Sequence, residues 1–543
     1  MAELTIVFRL RFAVALAALV CLLLLVVGTL NAEARSARAE YIVQMKKGAS
    51  PAPAKRFVRH HGGRVTSPTL RVINGFGAAL SRKAAARLRH RRGVKAVSLN
   101  TSMTAAADTS GGYTCAATDA TSLPAKAAPG GILDPEAPIQ NAVSRVDQPF
   151  LKSIRADAAW SRATGRGVGV AVIDTGIAGD LPDFQTPRNG SRVIASAVTN
   201  PCAHDANDQY GHGTHVAGLI AGNGLVYNNG LHGKYMGVAP RANLVSVKVS
   251  DDDGNTTVLD VIYGIQFAVD NKSAYGIRVM NLSLSSTTAE SYLTDPLDAA
   301  VESAWFSGIV VVTAAGNEGE ANDGVTFAPA NDPWVITAGA LDDKGTFTRL
   351  DDLLASWSSH GLTQDGVAKP EVLAPGARLV STLAPGSDFA HLCSSCVTDN
   401  GRYFRAGGTS MSAAVVSGAA ALLVEAHPDW TPAQVKGALV SKLVDVPGAG
   451  GVIDVNAALD ATTSSNVSLA PNTLIDPTTG QIDWARASFR RASFRDASGS
   501  SLSATWSRAS FRCDCGFTDS GEVDPTRVSF RRVSFRKTTD LGD

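Results

Sequence analysis

Gly167-Val168-Gly169-Val170-Ala171-Val172-Ile173-Asp174-Thr175-Gly176, residues 167–176, is a run of β-branched and small apolar residues that stops on a carboxylate and a glycine. Apolar side chains at successive positions, rather than alternate ones, describe a strand covered on both faces, and such strands belong to parallel sheets wrapped by helices. The texture recurs at 242–249, 277–284, 309–313 and 334–340, where Val310-Val311-Val312 is again apolar on both sides. Between these strands lie stretches with helical spacing, 258–269 (Val258, Val261, Ile262, Ile265, Phe267, Val269) and 297–306. Two more helices follow. One, over 412–426, sets Val415, Val416, Leu422, Leu423 and Val424 among small residues that permit close packing. The other, over 431–441, has Pro432 near its first turn, where a missing N–H costs little. The alternation predicts an α/β fold, a mostly parallel sheet flanked by helices on both faces, with its core complete near Ala461.

The flanks differ from this body. At 543 residues, against roughly 150 per domain, the chain is modular. With 45% hydrophobic and 18% charged residues, wholesale disorder and a polytopic membrane protein are excluded. Residues 40–103 carry fourteen Lys or Arg against one acid, Glu40, whereas 104–543 carry 32 against 46. Complementary fields orient two parts that dock. A nucleic-acid-binding arm is the competing reading, and the strand-like and helix-like apolar pattern of 40–103 weighs against it. Arg9 and Arg11 precede an apolar run over 12–27 and then the small residues Ala32, Ala34, Ala37 and Ala39. This is a secretory signal, 1–34, cut after Ala34 or Ala39, or else an uncleaved amino-terminal membrane anchor. Either way the body is exported. In an oxidising compartment, Cys115, Cys202, Cys393, Cys396, Cys513 and Cys515 favour disulfides over a zinc site, with fifteen pairings open. Residues 104–140 form a Ser, Ala, Gly and Pro-rich linker. Beyond the body (141–461), the tail 462–543 repeats Arg-Ala/Val-Ser-Phe-Arg five times, beginning at 486, 491, 508, 527 and 532. A period of five matches neither strand nor helix, so the tail reads as low complexity. Its eleven Lys or Arg against seven acids over 484–543 leave two readings, a disposable extension or an element that retains the protein at the cell envelope.

Three segments put reactive residue types at the ends of elements. Asp174 ends the first strand, where open α/β sheets build their sites. By itself an aspartate there is more often a cap or turn former. Asp-Thr-Gly is also the aspartic-protease signature, but the second copy that this chemistry needs, Asp519-Ser520-Gly521, lies in the repeat tail. Gly211-His212-Gly213-Thr214-His215 leads into a small-residue helix, placing an imidazole at a helix start; a metal pair at i, i+3 with Asp205 or Asp208 is the alternative. Gly407-Gly408-Thr409-Ser410-Met411-Ser412 stands immediately before the buried helix, whose terminal field favours negative charge on a bound oxygen. Ala314-Ala315-Gly316-Asn317-Glu318-Gly319 adds an amide donor on a Gly-flanked turn, suited to an oxyanion.

In this joint order, Asp174, His212, Asn317, Ser410, the chain resembles the subtilisin-like serine proteases, over roughly residues 141–461. The resemblance implies a serine endopeptidase with Ser410 as nucleophile, His212 as general base, Asp174 as its orienting carboxylate, and an oxyanion hole from Asn317 and the Ser410 N–H. It also implies that Ser283-Leu284-Ser285, with Gly316, binds the extended substrate backbone. Ser285 and Ser286 stand where the family usually has Gly, and Phe327 falls where a small residue commonly opens the first specificity pocket. A shallow pocket for small or medium apolar side chains follows. Residues 40–103, with Tyr41-Ile42-Val43-Gln44-Met45 and 72–80, resemble the ferredoxin-like prodomain of these proteases, a folding aid and intramolecular inhibitor removed by self-cleavage. The implied partners are polypeptide substrates and the chain's own prodomain. No cofactor is implied for catalysis, and structural calcium, common in the family, finds no assignable ligands at 223–237. An inactive scaffold acting as an adhesin through the repeats is the rival reading.

Overall fold

The computed structural model describes residues 38–46, 49–101, 103–104, 148–187, 190–226, 231–319, 325–465 and 468–473, and the backbone of strands at 512–517 and 523–532. The amino-terminal apolar run, the linker after Thr104 and most of the tail lie outside them. The chain divides into two compact units.

The first unit is the basic segment. Its elements are β1 (Arg38–Met45), α1 (Ala52–His60), β2 (Arg64–Val65), β3 (Gly75–Ser81), α2 (Arg82–Arg89) and β4 (Val94–Leu99). The sheet runs β2-β3-β1-β4, with Tyr41 opposite Leu99 in the antiparallel β1–β4 pair. This is the order of a split β-α-β unit. Val43, Phe57, Val58, Phe76, Leu80, Leu88 and Val97 form its core.

The second unit opens with the short strand β5 (Met103–Thr104) and continues through β6 (Gly169–Asp174), β7 (Val193–Val198), α3 (His212–Ala221), β8 (Asn243–Lys248), α4 (Val258–Asp270), β9 (Ile277–Leu282) and β10 (Ser285–Ser286). It goes on with α5 (Pro296–Phe306), β11 (Val310–Ala314), β12 (Ile336–Asp342), β13 (Val372–Pro375), β14 (Leu379–Thr382) and β15 (Tyr403–Ala406). The last elements are α6 (Thr409–Ala426), α7 (Pro432–Ser441), β16 (Leu443–Val446) and β17 (Gly450–Ile453). The main sheet runs β16-β17-β13-β12-β11-β9-β6-β8-β7, parallel along this order except for the β16–β17 hairpin at its edge, and the two-residue strand Leu353–Leu354 pairs antiparallel with the end of β12. Its helices fall into two packing groups, α3 with α6 and α4 with α5. Strands buried on both faces need both groups.

Local chemistry fixes the helix starts. Thr257 and Asp260 form a capping box on α4, Thr431 and Gln434 one on α7, and Asp295 caps α5 ahead of Pro296. The helix expected over 412–426 begins three residues earlier, at Thr409, and every residue from Thr409 to Val424 is buried. Its composition is apolar enough to cross a membrane, but its burial makes it the central core helix. Strand β7 was not foreseen, because Ser196 interrupts a short apolar run. The strand expected at 334–340 starts two residues later, since Asp332 and Pro333 hold a turn. In the tail, Arg512–Phe517 pairs antiparallel with Val523–Arg532, a hairpin that the five-residue period does not suggest.

Small residues let α3 approach its neighbours. A Cβ added at Gly218 would lie 2.2 Å from Ser381 Oγ and 2.4 Å from Thr382 Oγ1, the hydroxyls that donate to the His215 and Thr214 carbonyls. Gly218→Ala is therefore expected to destabilise the chain by roughly 1–3 kcal/mol through overpacking, read as a lower thermal midpoint with the fold retained in circular dichroism.

Candidate active site

The site forms where β6 ends and α3 begins. Asp174, at the carboxyl end of the central strand, accepts from the Thr175 N–H at 2.8 Å and from His212 Nδ1 at 2.6 Å through the same oxygen. Both side chains are fully buried. A proton held on Nδ1 leaves the Nε2 lone pair as the basic position, the tautomer a general base needs. His212 is the first residue of α3, and Gly211 before it adopts a left-handed φ of 106°.

Asp208 holds this junction. One of its oxygens accepts from Thr175 Oγ1 (2.8 Å) and the Gly211 N–H (2.7 Å), and the other from the Thr214 N–H (2.7 Å). Thr175 Oγ1 in turn accepts from the Gly213 N–H at 2.9 Å. A buried carboxylate thus satisfies the orphan donors of the first turn and lashes it to the strand end. Burial pushes the Asp208 carboxyl up, and these hydrogen bonds oppose the shift. Sequence reading weighed Asp208 only as a metal ligand; its spacing before Gly211 was the signal for an Asx-type cap. Phe389 stacks edge-on to His212 with ring centroids 6.2 Å apart, and to Tyr210 at 5.5 Å, giving the imidazole a dry wall that the sequence did not reveal.

Ser410 lies in the first turn of α6, behind Gly408. Its hydroxyl donates to the Ser283 carbonyl at 3.3 Å, while Ser283 Oγ donates to the Ser410 carbonyl at 3.0 Å. Asn281 Nδ2 donates to Ser283 Oγ and Asn281 Oδ1 accepts from Ser417, so the end of β9 is pinned along α6. Asn317 Oδ1 accepts from both the backbone N–H and the hydroxyl of Thr409, at 2.8 and 2.9 Å. With its oxygen so engaged, the amide presents its NH2 end as donor. The Gly316 N–H donates to Thr409 Oγ1 at 3.0 Å, and Gly316 sits at φ 107°, a conformation suited to glycine.

Leu284 is buried, and the ladder falls on Ser285 and Ser286, one residue beyond the expected span. Ser285 pairs with Thr104 and Ser286 with Met103, antiparallel. The other edge of this segment meets the loop before α4: the Met103 N–H donates to the Thr256 carbonyl, Val258 N–H to the Thr101 carbonyl and Leu259 N–H to Asn100 Oδ1. A piece of the chain's own backbone lies between the two.

A model of the subtilase family matches residues 165–468. The chain belongs to the subtilase family. It is 40% identical over 279 residues to serine protease AprX of Bacillus subtilis (strain 168), a match spanning 50% of this chain and 60% of AprX. To subtilisin E of the same strain it is 38% identical over 314 residues, 57% of this chain and 70% of that protein. The crystal structure of fervidolysin from Fervidobacterium pennivorans, described as a keratinolytic enzyme related to subtilisin, matches with a TM-score of 0.56 and 25% identity over 78% of this chain and 61% of fervidolysin.

Among the described residues, no group of three or more His, Cys, Asp or Glu side chains is disposed to hold a metal ion, so no calcium ligands are assigned. Cys393 and Cys396 form a disulfide, and Cys202 is disulfide-bonded as well. His215, the second histidine of the motif, faces away from the strand end: its Nε2–H donates to the Phe404 carbonyl at 3.0 Å. Burial, helped by the nearby His212, lowers its pKa to about 3. A neutral histidine held in this way contributes stability that is complete above its unfolded value near 6.5 and is lost as pH falls toward 3. In His215→Asn, which retains a donor for Phe404, the thermal midpoint is expected to fall less steeply between pH 6.5 and 3 than in the parent, as calorimetry across that window would read.

Proposed function

We propose that this chain is an exported serine endopeptidase acting on polypeptides, with Asp174, His212 and Ser410 as its triad, and that it is made as a zymogen inhibited by residues 40–103. The observation that carries the reading is the 2.6 Å contact from His212 Nδ1 to Asp174, which leaves Nε2 as the base in a member of this family. In the reaction, Ser410 Oγ attacks the scissile carbonyl carbon and its proton passes to His212 Nε2. The resulting oxyanion is met by the Asn317 amide and by the Ser410 N–H in the first turn of α6. Collapse of the tetrahedral intermediate breaks the C–N bond, and His212 returns the proton to the departing amine. Water then repeats the sequence on the acyl-enzyme. Asp174 holds the tautomer and stabilises the imidazolium without itself taking the proton. Phe327, bridged to Ala289 beside the edge strand, supports a shallow pocket for small or medium apolar side chains.

A serine-directed phosphonate is expected to label Ser410 in the processed protein, and Ser410→Ala to abolish both labelling and peptide hydrolysis. Asn317→Ala should lower kcat by about 10²–10³ while changing KM little, since it removes a donor used chiefly in the transition state. Hydrolysis that survives Ser410→Ala would exclude the reading.

The zymogen is supported by the segment on the edge strand. Thr104 faces Ser285, and in an antiparallel ladder each step forward on one strand is a step back on the other. Ser283, two residues before Ser285 on the same segment, has its carbonyl at the Ser410 hydroxyl, so the paired Met103–Thr104 lies just ahead of the nucleophile along the chain. The cut is therefore expected soon after Thr104 and ahead of Cys115; sequencing the mature amino terminus checks this, and Ser410→Ala should leave the bond intact.

A further inference from the structure

Residues 468–473, at and beyond the end of the family match, return to the body and insert one side chain into it. Asn472 is fully buried. Its backbone N–H donates to both carboxyl oxygens of Glu302 on α5, at 2.8 Å each, and its side-chain amide donates to the carbonyls of Tyr292 (2.5 Å) and Asp295 (3.0 Å). On either side, Tyr292 Oη donates to the Ala470 carbonyl at 2.8 Å and the Thr473 N–H to that of Leu293 at 3.0 Å. This clamp packs against a cluster of carboxyl groups, Asp295, Asp298 and Glu302 at and ahead of the first turns of α5 and Asp332 from the loop before β12, all buried. The cations packed against it, Lys369 and Lys436, both pair with Glu371, at 2.7 and 2.6 Å.

The cluster leads toward the substrate strand. Glu302 and Asp332 interact electrostatically, and Asp332 Oδ1 accepts from the Trp334 N–H at 2.8 Å. In the same loop, Asn331 Nδ2 donates to the Glu290 carbonyl at 2.9 Å, and the Ala328 carbonyl accepts from the Ser286 N–H of β10 at 2.7 Å. Asn472 thus stands at one end of a chain of contacts, from Asn472 to the 292–295 segment and from Glu290, just ahead of it, to Asn331 in the 327–332 loop, whose other end is the strand that pairs with extended backbone. Tyr292 and Leu293, held by the same clamp, follow that strand in sequence.

We propose that Asn472 is a positioning residue for the substrate groove, with residues 470–473 acting as a clasp that sets the 327–332 loop against β10. The inference rests on the endopeptidase reading above and goes beyond it, because it makes a segment outside the recognised family region part of substrate binding. Burial drives the Glu302 and Asp298 carboxyls upward, and burial likewise brings Asp295 and Asp332 to about 6, so the cluster favours a neutral amide beside it and disfavours another carboxylate.

The test uses the full chain, as Asn472→Ala and Asn472→Asp, with Tyr292→Phe as a milder break of the same clasp. Peptide hydrolysis is measured with substrates differing in the side chain before the scissile bond, together with the thermal midpoint. The expected result is a KM raised about tenfold in Asn472→Asp and less in the other two, a changed ranking of substrates, and kcat within about twofold. In Asn472→Asp the rise in KM should be larger at pH 8 than at pH 5, as the added carboxyl ionises. Unchanged KM and ranking in all three variants, or kcat lost in step with the thermal midpoint while the ranking stays fixed, would overturn it. Should Asn472→Asp fail to fold, Asn472→Ala and Tyr292→Phe decide on the same readouts. An unsubstituted chain inert to peptides and to the phosphonate would instead sink the endopeptidase reading, so the two failures are distinguishable.

Discussion

A buried carboxylate holds the candidate site in place. Asp208 gathers three donors, from Thr175, Gly211 and Thr214, and in doing so joins the end of the central strand to the first turn of α3. Because Asp174 ends that strand and His212 begins that helix, the spacing of the pair is set by a neighbour that touches neither reacting atom. The charge of Asp208 is tolerated in a buried setting because helix-terminal N–H groups point at it. Loss of such a partner from a dry junction costs far more than a surface hydrogen bond returns.

The second constraint is the close packing of small residues. Gly213 permits Gly176 to lie against the start of α3, Gly218 brings the helix onto β14, and Gly418 lets α6 meet Val238. With these distances fixed, Ser283 and Ser410 exchange hydrogen bonds across elements 127 residues apart in sequence, and Thr409 reaches Asn317 across 92. The site is assembled almost wholly from long-range contacts on a rigid frame.

Much of this was readable from the chain. Uninterrupted β-branched runs marked the parallel strands, and glycines flanking Asp174, His212, Asn317 and Ser410 marked the turns at their ends. What escaped was set by tertiary context. Ser410 read as a residue ahead of the helix, since Gly407-Gly408 masks a start that its fully buried environment permits at Thr409. Asp208 looked like a ligand because a lone carboxylate near two histidines carries no sign of the backbone donors it will meet. Phe389 sits 177 residues from His212, and no local pattern links an aromatic in a short irregular helix to a distant imidazole. Asn472 lies in Thr, Ser and Pro-rich sequence that gives no hint of burial, yet its backbone and side chain both find acceptors in α5 and the loop ahead of it.

The enclosure of α6 bears on what its positions can hold. A helix buried from Thr409 to Val424 leaves no slack at its small residues, so a larger side chain there must displace the sheet or a neighbouring helix.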